Sequence, residues 1–166
     1  DQVFGTLKER DILRLKGPLG SFFVREESDK PVIFVAGGTG FAPIKGMLEH
    51  LFAEHTRREL VLYWGVRSLA DLYMAELPTQ WLAEKPNFSF IPVLSEPKPE
   101  DNWQGRTGYV HQAVLADFAS LAGYQVYACG APAMVDAAQA AFTGERGLPE
   151  DEFFADSFVH AADGPR

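Results

Sequence analysis

The segment Val32-Ile33-Phe34-Val35-Ala36-Gly37-Gly38-Thr39-Gly40-Phe41-Ala42-Pro43 has the residue types needed to hold a diphosphate. It reads as a buried strand, a glycine turn and a helix opening on a proline. Glycines let backbone N–H groups come close to a phosphate because no Cβ intervenes. The helix start adds unpaired donors and a partial positive charge. Gly38-Thr39-Gly40-Phe41-Ala42-Pro43 nearly matches the dinucleotide fingerprint, with Pro43 where the third glycine would stand. Proline is accepted in a helix's first turn, where its missing N–H is not needed. A tight strand-to-helix packing turn would use the same residues, and the flanking strand and helix favour nucleotide binding. One feature of the fingerprint is absent. The next strand ends Gly65-Val66-Arg67, without the acid that holds a ribose 2′-hydroxyl.

Other strand ends extend this pattern, since open parallel sheets bind ligands at their carboxyl ends. Arg67 can pair with an adenosine ribose or its phosphate, or be a solvated surface arginine. Cys129-Gly130-Ala131-Pro132 sets a small thiol beside a second glycine turn. A lone cysteine is commonly a small core residue, but this position favours contact with a ligand. No histidine lies near it in sequence to prime a nucleophile. The four histidines, His50, His55, His111 and His160, give no metal-ligand spacing. Gly105-Arg106-Thr107-Gly108-Tyr109-Val110 reads as a loop leading into a helix rather than as a basic ligand site.

The elements that must position these residues alternate from residue 32 onward. Expected strands are 32–36, 60–64, 88–94, 125–129 and 152–158. Expected helices are 43–55, 69–77 (ended by Pro78), 79–84, 110–121 and 132–142. Apolar strands alternating with helices imply an α/β fold, a three-layer parallel sheet with helices on both faces. Residues 1–24 differ. Asp11–Lys16 alternates as a half-buried strand would, Gly17-Pro18-Leu19-Gly20 is a turn, and Ser21–Val24 is a second short strand. Two such strands belong to a larger β unit. Glu26-Glu27-Ser28-Asp29-Lys30-Pro31 is a polar linker at a domain boundary.

The 166 residues suit one domain, or one domain and a piece of another. A net charge of −8 argues against nucleic acid or an acidic membrane as partner. One cysteine rules out an intramolecular disulfide and a cysteine-ligated cluster within these residues. It also suits a cytoplasmic setting. No apolar run reaches the ~18 residues of a membrane span. The start, Asp1-Gln2-Val3-Phe4-Gly5, lacks a secretory signal pattern and an initiator methionine, so a processed chain or fragment is expected.

Taken together the segments resemble the ferredoxin–NADP reductase superfamily. The nearest branches are flavin-containing NADH reductases of oxygenases and CDP-6-deoxyglucoseen reductase-like enzymes. Gly17–Phe23 resembles the end of that family's FAD-binding barrel, and Ala36–Pro43 its pyridine-nucleotide loop. Tyr63–Arg67 with Asp71-Leu72-Tyr73 resembles its adenosine side, and Tyr127–Pro132 its nicotinamide side.

The resemblance implies that residues 1–27 end a truncated FAD-binding β-barrel and that 28–166 form an NAD(P)-binding domain. The family's Arg-x-Tyr-Ser flavin motif is not in this sequence, so FAD binding needs the missing barrel, with Gly20 and Ser21 keeping part of the contact. The implied reaction passes hydride from NAD(P)H to FAD and electrons on to an acceptor protein or iron–sulfur domain. The implied cofactor residues are Gly37, Gly38, Thr39, Gly40, Pro43, Gly65, Arg67, Gly130 and Pro132. Cys129 and Phe158 are implied at the reacting rings. The absence of a dense basic cluster after Arg67 favours NADH. Two other readings stay open: a non-catalytic nucleotide-binding module, and an ordinary dehydrogenase of a small substrate, which the absent ribose acid disfavours.

Overall fold

A computed structural model describes residues 5–14, 16–17 and 19–158. Six strands form one parallel sheet: β1 (Val32–Gly37), β2 (Leu60–Val66), β3 (Phe88–Leu94), β4 (Arg106–Thr107), β5 (Gln125–Gly130) and β6 (Phe153–Ser157). Their order is β4-β3-β2-β1-β5-β6. The chain moves outward from β1 to β4, then returns to place β5 on β1's other side. That reversal opens a crevice at the carboxyl ends of β1 and β5.

Side-chain alternation along the strands makes two cores. Phe34, Ala36, Leu62 and Trp64 face α1 (Phe41–Ala53) and α2 (Glu76–Glu84). Ile33, Val35, Val61 and Tyr63 face α3 (Val110–Asp117) and α4 (Pro132–Arg146). α1 inserts Ile44 and Leu48 into the first core, both fully buried. Each such side chain contributes ~1.5–3 kcal/mol on removal from water. No helix among the described residues is long and apolar enough to cross a membrane.

The three-layer parallel sheet matches the expectation, and several boundaries differ for local reasons. α1 begins at Phe41, two residues before Pro43, so the proline occupies the first turn. Pro78 does not end a helix. Residues 69–71 form one short turn, and Pro78 lies in the first turn of α2, where no intrahelical N–H is required. α3 stops at Asp117 because Phe118 is extended (φ −118°, ψ 117°), short of the expected 121. α4 runs on to Arg146, where Gly147 in the left-handed region (φ +67°) terminates it. Among the described residues of 5–24 no strand forms. The expected strand 11–16 lies partly outside the described residues. Ser21–Val24 finds no neighbouring strand to pair with; Val24 is instead buried in the first core.

Candidate functional site

The ends of β1, β2 and β5 and the start of α3 surround a cavity of about 970 Å³. This is at the upper end of the usual range for small-molecule sites. Gly37, Gly38 and Thr39 line it from β1. Gly38 has φ +51°, and a Cβ there would meet nothing within 4 Å, so its surface is open. Its carbonyl accepts a 2.9 Å hydrogen bond from Trp64 Nε1, which pins the loop to β2. Phe41 stacks on the same indole, with ring centroids 4.1 Å apart. The turn is thus held from behind by aromatic packing while its front stays clear.

Gly40 does something different. A Cβ there would lie 2.0 Å from the Cys129 carbonyl oxygen. Gly40 therefore allows α1 to close onto β5 and does not line the cavity. Pro43, one helical turn on, is likewise outside it. At the tip of β5, Gly130 (φ +152°) would bring a Cβ to 3.0 Å from Gly37 Cα. At this close contact of the two strand tips Gly37 lines the cavity and Gly130 does not. Pro132 opens α4, and the neighbouring Ala131 and Met134 reach the cavity in its place.

The Cys129 side chain does not line the cavity. It is fully buried in the first core. Desolvation, aided by the Asp156 charge, pushes its thiol up to about 12. Gly130 acts through its carbonyl, which accepts the Phe158 N–H at 2.9 Å. That bond brings Phe158 to the cavity's edge. Gly20 and Ser21 are exposed and lie away from the cavity. The Ser21 carbonyl accepts from Arg25 Nη2 at 3.2 Å.

At the far end Gly65 and Arg67 line the cavity from β2. Four residues beyond Arg67 is Asp71, part of the stretch whose resemblance implied the adenosine side but not singled out there as a cofactor residue. Its Oδ2 accepts from the Ser68 backbone N–H (2.9 Å) and hydroxyl (2.8 Å). The Ser68 backbone bond first, then the hydroxyl, holds the Asp71 carboxyl below its ordinary value. A carboxylate does face this end, displaced by one turn from the fingerprint position. The spacing Ser68-x-x-Asp71 is its only local signal.

Tyr109 and His111 were missed as well. Tyr109 is 65% exposed and stacks on His111 at 5.9 Å with an 11° interplanar angle. Desolvation lowers the His111 pKa below its ordinary value, against a smaller opposing pull from Glu145. Arg106 is paired with Asp117 and does not reach the cavity. Among the described residues no three His, Cys, Asp or Glu side chains gather as a metal site.

The pattern described as "Oxidoreductase NAD-binding domain" matches residues 34–140, most of the sheet and its helices. This chain belongs to the oxidoreductase NAD-binding domain family. Within the family it is 47% identical over 157 residues to Protein RfbI of Salmonella typhimurium, covering 95% of this chain and 46% of that one. It is 43% identical to CDP-6-deoxy-L-threo-D-glycero-4-hexulose-3-dehydrase reductase of Yersinia pestis, with the same coverages. Among solved structures it superposes on the Amycolatopsis cytochrome P450 reductase GcoB with a TM-score of 0.78 and 36% identity, covering 87% of this chain and 43% of that one. The chain spans about half the length of the curated relatives it matches. Its NAD-binding domain has the ferredoxin reductase-like arrangement expected from the sequence.

Proposed function

We propose that this chain is the pyridine-nucleotide part of a flavin-dependent NAD(P)H oxidoreductase of the cytoplasm. The observation that carries this reading is the cavity at the β1–β5 reversal. It has open glycine backbone at its centre, a cation and an anion at one end and an aromatic ring at the other. The residues fit a dinucleotide. Gly38 and Thr39, at the uncapped start of α1, offer a close approach and positive potential to a diphosphate. Arg67 and Asp71 meet the adenosine ribose, and Tyr109 gives its base an exposed ring face. Phe158 covers the nicotinamide end and excludes water there.

They do not fit FAD in the same way. Gly20 and Ser21 form no cradle among the described residues, and flavin binding is assigned to the FAD-binding domain that the family resemblance implies. Bound in the full-length protein, NAD(P)H would supply a hydride and a flavin would supply the exchange between hydride and single-electron chemistry, toward an acceptor such as an iron–sulfur centre. The reductases among the relatives support this assignment. This chain's contribution is to position the nicotinamide.

NADH is the preferred donor, because Asp71 opposes a 2′-phosphate with like charge and is able to accept from a 2′-hydroxyl. Titrating the chain with both nucleotides should show tighter binding of NADH. Asp71→Asn keeps the cap on Ser68 and removes the charge, and should narrow the NADH-to-NADPH ratio roughly five- to tenfold. No binding of either nucleotide refutes the proposal. In the full-length protein, anaerobic NADH should bleach the flavin absorbance. A colourless protein that binds NADH but reduces nothing would instead be a non-catalytic module.

A further inference from the structure

At the amino ends of the strands, opposite the cavity, lies a buried polar cluster that nucleotide binding does not use. Arg58, two residues before β2, is only 8% exposed. Its Nε donates to the Lys30 carbonyl at 2.5 Å, Nη1 to the Arg25 carbonyl at 3.1 Å, and Nη2 to Gln125 Oε1 at 2.6 Å. Among the described residues none of these bonds goes to a carboxylate. Burying a guanidinium is costly, and here it satisfies neutral oxygens: two carbonyls of a loop and the side-chain amide of Gln125 on β5. A planar fork of five donors is the side chain able to reach three such acceptors at once.

The loop is residues 25–30, overlapping the polar linker 26–31 that the sequence presents. Both of its ends are fixed. Arg58 holds the Arg25 and Lys30 carbonyls, while the Arg25 N–H donates to the Tyr127 hydroxyl at 2.9 Å. Gln125 Nε2 and Lys30 Nζ converge on Glu152, at 2.8 and 2.5 Å. The Tyr127 ring stacks on Phe154 at 4.7 Å and lies 6.2 Å from Phe22. The Arg25 guanidinium covers Phe23 and Phe154, 4.0 and 4.7 Å from their centroids. A solvated linker would need none of this.

β5 joins the two ends of the molecule. Gln125 and Tyr127 hold the loop, and Gly130 at the other end packs against Gly37 of the cavity lining and anchors Phe158. Only about 16 Å of extended strand separates them. We infer that Arg58 and Tyr127 are positioning residues for hydride transfer, fixing residues 25–30 as a rigid strut that sets the angle between the flavin-bearing polypeptide and the nucleotide cavity. The inference rests on the function proposed above. Neither residue lines the cavity.

The test uses the full-length flavoprotein with Tyr127→Phe, which keeps the ring stack, and with Arg58→Met. Three quantities are read: amide hydrogen exchange of residues 25–30, the NADH Kd, and the limiting rate of anaerobic flavin reduction. Exchange should rise in both variants and the limiting rate should fall about tenfold or more, because small misplacements of reacting atoms are amplified in rate. The Kd should stay within about twofold, since the cavity is intact. The long-wavelength charge-transfer absorbance between nicotinamide and flavin should weaken in parallel. Unchanged exchange overturns the strut. Raised exchange with an unchanged limiting rate, or rate and Kd lost together, overturns the positioning role. If the unsubstituted protein's flavin is not reduced by NADH, the functional proposal itself fails.

Discussion

Cys129 ends the apolar stretch of β5, immediately before the Gly130 turn, where a sequence shows a thiol poised at a ligand. The strand's alternation sends its side chain into the core against α1, while its carbonyl meets Gly40. With the thiol pushed up to about 12, the thiolate fraction at pH 8 is ~10³ below that of an ordinary cysteine near 9. Iodoacetamide should therefore label native Cys129 at least about 100-fold more slowly than the same residue in denaturant, and NADH should not change that rate. Rapid labelling blocked by NADH would place the thiol in the cavity. The same alternation explains what the sequence did reveal: Gly37, Gly38, Thr39 and Arg67 follow strand tips and reach the cavity with little dependence on packing. Asp71 was marked only through the family resemblance of its segment and Tyr109 not at all, because each arrives from a loop whose path depends on distant partners.

Gly38 and Gly40 look equivalent in the sequence, yet the elements around them assign different duties. Gly38 needs its backbone conformation and has space in front of it. Gly40 needs the space, since α1 crosses β5 with a carbonyl where a Cβ would stand. Gly38→Ala should fold with a loss of ~1–2 kcal/mol from left-handed strain and weaker NADH binding. Gly40→Ala must push α1 off β5, and should cost about 3 kcal/mol or more by overpacking. Urea unfolding midpoints of the two proteins decide between these costs, and equal losses would remove the distinction. Periodicity located five of the six strands and helices α1, α3 and α4, but it read the two-residue strand β4 as loop, because Arg106–Thr107 is too short to show an alternation. It misplaced ends such as Pro78, because proline stops a helix in mid-course and is accepted in a first turn, and spacing does not reveal which turn it occupies.

On the scale of the whole molecule, the polar loop 25–30 is where sequence and structure diverge most. Its composition is that of a solvated connector, while its partners Arg58, Gln125 and Glu152 are 28 to 122 residues away along the chain. Glu152 makes this network sensitive to acid. Its partial burial favours the neutral form, but hydrogen bonds from Lys30 and Gln125 and the charges of Lys30 and Arg58 outweigh that. The carboxyl therefore sits below its ordinary value of 4.5. A depressed folded pKa contributes stability that is fully present above pH 4.5 and disappears as pH falls through the folded value. Glu152→Gln forfeits that contribution at neutral pH and has nothing left to lose in acid. Its Tm should lie below that of the parent at pH 7, and the two curves should converge as pH falls from 4.5 towards 3. Other depressed carboxylates, Asp71 among them, steepen both curves alike and cancel in the comparison. Parallel curves would mean that the Lys30–Glu152–Gln125 contacts carry no net charge-dependent stability, and would leave Arg58 and Tyr127 alone to hold the loop.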